Sequence, residues 1–497
     1  MAARKPSGTP SVNDTGRTGP RVAIVGAGMA GILAAIKLAE AGLDDFTIYE
    51  KAERVGGTWR ENTYPGISCD VPSHLYSYSF ELTPEWTRRF SPGDEIQAYF
   101  ERVTQEHDLL RRIRFGDEVL RCEFGDGQWH LETAKGRRDA VDVVIAATGV
   151  LHHPNLPTFE GLDDFEGATF HSSRWDHTVP IDGARLGVIG TGSTAVQIVG
   201  AVVDRVGHLA LFQRTAQWVL RQENAPYSEE ERQEFRANAT LLADLHAELN
   251  RQFGIFARAV VNADSEEMTA LEQACREHLE STVRDPDLRE RLRPSYRAAC
   301  KRLVISPNFY EAIQAPNAEL VTEGIERFER SGIRTRDGRL HELDVVVLAT
   351  GFKAHAFMRP MAVVGRGGVT LEQAWAERAT AYLSISIPEF PNFFMLNGPN
   401  GPVGNFSLIE VAELQVGYVL QLLERIRAGE CRLVSPTRRT LDDFEAERLE
   451  AAKNTIWITG CRSWYLDDFG IPAVWPWNFE RFRAEMREPK LDAFDLR

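Results

Sequence analysis

Arg21-Val-Ala-Ile-Val25-Gly26-Ala-Gly28-Met-Ala-Gly31 decides the fold. A short apolar run stops at a glycine cluster and passes into a helical pattern over residues 30–41, and a second run, Phe46-Thr-Ile-Tyr49, ends on Glu50. Strand, glycines, helix, strand and acid, in that order, spell one βαβ dinucleotide unit. Gly26 makes the tight turn, Gly28 lets the backbone approach a pyrophosphate, and Gly31 lets the helix settle on the strand. The helix N-terminus then offers unbonded N–H groups and positive potential to the phosphates. Glu50 stands where a carboxylate takes both hydroxyls of an adenosine ribose.

The device recurs at Leu186-Gly-Val-Ile-Gly190-Thr-Gly192-Ser193-Thr-Ala195, with Ala replacing the third glycine, an accepted substitute there. Its second strand, Leu209-Ala-Leu-Phe-Gln213, runs to Arg214, which has the same offset from Gly190 as Glu50 has from Gly26. A guanidinium suits a ribose 2′-phosphate and a carboxylate does not, so the first site is expected to hold an unphosphorylated nucleotide and the second NADPH. Two near-identical runs, Val141-Asp-Val-Val-Ile-Ala-Ala-Thr-Gly149 and Leu343-Asp-Val-Val-Val-Leu-Ala-Thr-Gly351, read as chain crossings between the two units. Residues 226–300 switch to helical spacing, with Ser228 and Glu231 as a capping box and Phe235, Leu242, Leu245, Leu249, Phe253 and Phe256 in one apolar series. This reads as a helical subdomain on the second unit, able to line a substrate cleft.

The expected fold is therefore α/β, with two Rossmann-like dinucleotide-binding domains and a helical insertion. The boundaries expected are a disordered tail over 1–20, a first domain over 21–150 and 346–497, a second over 151–225 and 301–345, and the helices over 226–300.

Composition narrows the classes further. Against 57 Lys+Arg stand 72 Asp+Glu in 497 residues, a formal charge of −15, and such a field disfavours a nucleic-acid partner. With 43% hydrophobic and 26% charged residues, overall disorder is excluded. The cysteines at 69, 122, 275, 300, 431 and 461 form no C-x-x-C pair and no zinc-ligand spacing, so no metal site is expected and they read as buried free thiols in a reducing compartment. No apolar run reaches the roughly 18 residues of a transmembrane helix, and the first 20 residues lack the apolar stretch of a signal peptide. A cytoplasmic protein is the expectation.

Two dinucleotide sites on one chain suggest a flavoprotein that takes a hydride from NADPH. Such chains pass the electrons either to a cysteine pair or to oxygen. A dithiol route needs two neighbouring cysteines soon after the first βαβ unit, where only Cys69 occurs. Oxygen chemistry is the better explanation.

Phe165-Glu-Gly167-Ala-Thr-Phe-His171-Ser-Ser-Arg-Trp175-Asp176 resembles the fingerprint of type I Baeyer–Villiger monooxygenases, and Gly56-Gly57-Thr-Trp59-Arg-Glu-Asn-Thr-Tyr64-Pro65-Gly66-Ile-Ser-Cys-Asp70 resembles that family's other long motif. The likeness runs from about residue 20 to residue 485 and includes Gly398-Pro-Asn-Gly-Pro402. It implies FAD on Gly26, Gly28, Gly31, Glu50 and Trp59, and NADPH on Gly190, Gly192, Ser193 and Arg214. It also implies that Lys301 helps hold the 2′-phosphate, that Arg302 is the catalytic cation beside the flavin, that Asp70 orients it, and that Trp464 closes over the nicotinamide ribose. The implied reaction turns a small lipophilic ketone and O2 into an ester or lactone through a flavin C4a-peroxide. His171 and Trp175 read as structural, coupling rotation of the second domain to the flavin, and His152-His153 as a loop pair. Ala473-Val-Trp-Pro-Trp-Asn-Phe479 departs from the best-known ketone oxidisers and is closer to flavin monooxygenases at large, which bears on the substrate pocket and not on the reaction; N- or S-oxidation of soft nucleophiles is the alternative reaction. A non-catalytic flavin-binding redox sensor is the alternative of another class.

Overall fold

The computed structural model describes residues 19–497, so the expected tail lies outside the described residues apart from Gly19 and Pro20. Two parallel five-stranded sheets carry the architecture. In chain order their strands are β1 (Val22–Val25), β2 (Phe46–Tyr49), β3 (Ile113–Arg114), β4 (Val143–Ala146), β5 (Ala168–His171), β6 (Arg185–Ile189), β7 (His208–Phe212), β8 (Ala318–Val321), β9 (Val345–Leu348) and β10 (Phe393–Met395). The first sheet runs β10-β4-β1-β2-β3 and the second β8-β7-β6-β9-β5. Strands β1, β4 and β9 are apolar and buried along their whole length, as strands of a sheet covered on both faces must be.

Period-two alternation divides the first sheet between two cores. Ile24, Ile48 and Ile145 face helix α1 (Met29–Glu40) through Ile32, Leu33 and Ile36, whereas Ala23, Val144 and Met395 face Trp129 on the opposite side. Trp129 belongs to a four-stranded sheet that covers that side. In the second unit, Leu186, Val188 and Leu211 pack with Val196, Ile198 and Val199 of helix α2 (Ser193–Val202).

The helical insert comprises α3 (Glu229–Ala237), α4 (Ala239–Val261), α5 (Glu266–Thr282) and α6 (Pro286–Arg291). The Ser228–Glu231 capping box is formed, and Asn238 breaks the apolar series by capping α4. Expected to sit on the second unit, the insert bridges instead: Leu279 of α5 joins the second unit's core, while Ala257 of α4 joins the first unit's and Ala259 and Val260 pack with Trp457.

The chain passes between the units twice. The expected return at residue 346 is corrected, because β9 pairs with β5 and β6 in the second sheet and the chain leaves only after Gly351. The two crossings lie side by side: Asn155 N donates to Gly351 O at 2.8 Å, and Lys353 N donates to His153 O at 2.9 Å.

The cysteine expectation also needs correction. Cys300 and Cys461 form a disulfide with Cα atoms 6.1 Å apart, while Cys69, Cys122, Cys275 and Cys431 are buried thiols. Their separation of 161 residues left no trace in the spacing; tertiary packing of the Cys300 turn on the C-terminal segment joins them. Among the described residues, no helix is long and apolar enough to cross a membrane.

Candidate active site

A cavity of about 1170 Å³ opens between the two glycine loops. Gly26, Gly28, Glu50, Trp59 and Asp70 reach its wall from the first unit, as do Gly190, Gly192, Ser193 and Arg214 from the second, and Lys301, Arg302 and Trp464 from the later chain. Gly31 does not line it. A Cβ there would stand 1.9 Å from Gly26 O, so its hydrogen serves the close approach of α1 to the loop.

The repeated Ala-Thr-Gly runs find their reason here. Gly26 has φ +104°, and a Cβ on it would lie 2.6 Å from Ala147 O; Gly190 has φ +125°, with Ala349 O at 2.2 Å. Each first glycine is thus pressed against the alanine that follows its neighbouring strand, and Thr148, Gly149, Thr350 and Gly351 continue onto the cavity wall.

Helices α1 and α2 begin on Gly28 and Gly192 with no side chain capping them, whereas Ser228, Asn238, Ser265 and Asp285 cap all four helices of the insert. The bare N–H groups at the two cavity helices are therefore donors of the kind that can receive a ligand's phosphates. A third such start, at Ser407 before helix α7 (Leu408–Arg427), has no side-chain cap either. Beside it, Asn397 Oδ1, both amide atoms of Asn405 and Ser407 Oγ are buried without hydrogen-bond partners, and Asn397 and Leu408 reach the cavity. Orphaned polar atoms around a helix N-terminus suit the pyrimidine carbonyls and N–H of a flavin.

Glu50 is 4% exposed and already has a structural task. Its Oε2 accepts from Ala27 N at 2.8 Å, and its Oε1 accepts from Ala52 N at 2.9 Å and from Arg60 at 3.0 Å. The carboxylate braces the glycine loop while presenting an edge to the cavity. In the second unit Thr191 Oγ1 donates to Thr215 O at 2.8 Å, which ties the glycine loop to the strand end that bears Arg214. Burial, and then the charge of Arg214, lower the Lys301 pKa from its ordinary value. Among the described residues neither cation forms an ion pair, so a dianionic phosphate would relieve their repulsion. Arg336 also lines the cavity, a cation that belongs to none of the sequence motifs.

Arg302 and Asp70 meet as expected from their motifs. Arg302 Nε donates to Asp70 Oδ2 at 3.1 Å, Nη2 donates to the same oxygen, and Nη1 donates to Gly404 O. Burial would lower the guanidinium pKa, but Asp70 and the Tyr465 hydroxyl outweigh it and the net shift is upward, so Arg302 remains a cation at any working pH. Its side chain keeps 24% of its exposure, and it lines the cavity. Trp59 Nε1 donates to the Tyr76 hydroxyl at 3.1 Å, and His355 Nε2 lies 2.8 Å from Trp464 O. Sequence reasoning missed Tyr465, whose only linear signal is that it follows Trp464.

The fingerprint residues His171 and Trp175 are absent from the cavity wall. Ser173 N donates to His171 Nδ1 at 3.1 Å, which leaves the proton on Nε2, 3.0 Å from Gly351 O. A neutral imidazole, its pKa lowered by burial, thus braces the second crossing. Trp175 packs on Phe170 in the second unit's core. His152 and His153 do reach the wall, with His152 Nε2 2.7 Å from Phe357 O.

One cavity shared by a unit closed with a carboxylate and a unit closed with cations is the arrangement of a flavoprotein that draws hydride from NADPH and, with no cysteine pair on the cavity wall among the described residues, passes the electrons to oxygen. Comparison with known proteins gives the particular family. The model of the flavin-binding monooxygenase-like family matches residues 19–364. An uncharacterized monooxygenase of Mycobacterium tuberculosis is 49% identical over 97% of both chains, and a Baeyer–Villiger monooxygenase of Streptomyces coelicolor is 39% identical over 96% of this chain and 92% of its own. Steroid monooxygenase bound to NADP superposes with a TM-score of 0.86 at 29% identity, covering 96% of this chain and 99% of that one. Cyclohexanone monooxygenase from Rhodococcus bound to NADP+ gives 0.85 at the same identity and coverage. The chain belongs to the flavin-binding monooxygenase-like family; it is an NADPH-dependent flavin monooxygenase of Baeyer–Villiger type with FAD and NADPH as cofactors. A purely sensory flavoprotein is set aside.

Proposed function

We propose that this enzyme inserts one atom of O2 beside the carbonyl of a small lipophilic ketone, giving an ester or lactone, with NADPH and a proton reducing the other atom to water. The observation that carries this reading is Arg302, a permanently charged guanidinium held by Asp70 at the cavity. In this reading FAD rests on residues 21–150 and 352–497, and NADPH on 151–225 and 301–351. When bound, FAD supplies the two-electron step from NADPH and the activation of O2.

The chain's own residues do the rest. The bare N-termini of α1 and α2 hold the pyrophosphates, and Arg214 with Lys301 selects the 2′-phosphate. Arg302 stabilises the oxyanion that develops on the ketone oxygen, a contribution of about 3 kcal/mol for a preorganised donor. Asp70 fixes where that cation stands. Trp59, Trp464 and Phe406 exclude water from the wall they share.

Arg302→Ala is the test. Anaerobic bleaching of the flavin by NADPH should persist, while ester formation falls roughly 100- to 1,000-fold. Sulfide oxidation, which develops no oxyanion on a carbonyl, serves as the control. Ester formation near the wild-type rate in this variant would overturn the proposal.

A further inference from the structure

Three groups surround the Arg302 guanidinium, and the third is a tyrosine. Tyr465 is 3% exposed, and its hydroxyl lies close enough to Arg302 for the two groups to interact electrostatically. The phenol oxygen also lies against Gly404, where a Cβ would stand only 2.3 Å from it, and Gly404 O accepts from Arg302 Nη1. Arg302, Gly404 and Tyr465 therefore form one contact, although they come from three distant parts of the chain.

Tyr465 directly follows Trp464, with the ring centroids 4.4 Å apart. Its ring packs on Trp457 at 5.6 Å, and its carbonyl accepts from Ala473 N at 2.8 Å. Tyr465 N donates to Ser463 Oγ at 3.3 Å, Ser463 Oγ donates to Cys300 O at 3.4 Å, and Cys461 is bonded to Cys300. The segment that places Trp464 on the cavity is thus fastened to the segment that places Arg302 there. The guanidinium has room to respond, because Nε and Nη2 converge on Asp70 Oδ2 alone instead of gripping both carboxylate oxygens as a fork. A single oxygen is a pivot.

We propose that Tyr465 is a positioning residue that couples the Trp464 segment to Arg302, so that a nicotinamide dinucleotide settling against Trp464 sets where the guanidinium stands. This rests on the reading of Arg302 as the cation of the reaction. The phenol acts as a neutral group: burial raises its pKa above the ordinary tyrosine value. It passes displacement, not protons.

Hydrogen exchange of the FAD-loaded enzyme, titrated with NADP+, tests the coupling without turnover. In wild type, amides of residues 461–466 and 300–304 should gain protection together, with one dependence on NADP+ concentration. In Tyr465→Phe, which keeps the ring and removes the hydroxyl, 461–466 should still respond while the response of 300–304 falls roughly tenfold, the weight of one polar contact to a charged group. In turnover the same variant should release more H2O2 and less oxygenated product per NADPH, with the KM for NADPH within about twofold of wild type. Independent responses of the two segments in wild type, or an unchanged joint response in Tyr465→Phe, would overturn the coupling. The wild-type titration decides even if the variant fails to fold. Absence of ester from any ketone would instead remove the Baeyer–Villiger reading and leave the exchange result standing.

Discussion

At the scale of single residues, the site is a problem of holding like charges close together. Lys301 and Arg214 face one stretch of cavity, and burial first, then the neighbouring charge of Arg214, lower the pKa of Lys301. Binding a 2′-phosphate requires the ammonium form, and a lowered pKa means that form is lost sooner as pH rises. NADPH affinity should therefore fall with rising pH, beginning below the ordinary lysine range, while NADH affinity stays nearly flat. Lys301→Arg, which does not titrate, should abolish the slope; Kd measured across pH for both nucleotides would show it, and a slope that survives in the arginine variant would remove Lys301 from the phosphate site. Arg214 was legible because its offset from Gly190 repeats that of Glu50 from Gly26. Lys301, Arg302, Asp70 and Trp464 were legible through family motifs, whose spacing says nothing of geometry. Tyr465 and Arg336 were not legible, since each acquires meaning only from residues more than a hundred positions away or from the cavity itself.

At the scale of elements, the glycine loops show how much backbone can be read from letters. The βαβ order and the two glycine patterns were plain because each glycine answers a local steric demand. Gly31→Ala would drive a Cβ into Gly26 O, and the variant should purify with little or no bound FAD, read directly from its visible spectrum; full flavin content would show that α1 can shift to accommodate a methyl group. The caps were half legible. Ser228 and Glu231 announced themselves, but the significance of α1, α2 and α7 lies in caps that are missing, and a missing cap looks like any glycine or serine until its surroundings are known. The function of the Ala-Thr-Gly repeat was likewise hidden. Its register could be read, but not that Ala147 and Ala349 press on Gly26 and Gly190 from neighbouring strands.

At the scale of the whole molecule, long-range closure escapes the sequence. The Cys300–Cys461 bond closes a loop of 161 residues, a length at which the chain-entropy model assigns about 5 kcal/mol of stabilisation through the unfolded state. Reduction should add two titratable thiols and lower the melting temperature of the holoenzyme, as calorimetry with and without a thiol reductant would record; an unchanged melting temperature would mean that this loop stays closed without the bond. The bridging position of the insert was equally unforeseen, because an amphipathic helix shows that it has an apolar face and not which neighbour takes it. The side-by-side crossings at residues 153–155 and 351–353 have one more consequence. Both ends of the inserted unit emerge at one place, so the second unit is a cassette: it can be lifted out, exchanged for that of a relative, or given new termini while the host unit keeps its sheet order. Diversification of nucleotide preference by recombination, in evolution or in the laboratory, needs only two cuts, and the molecule places them a hydrogen bond apart.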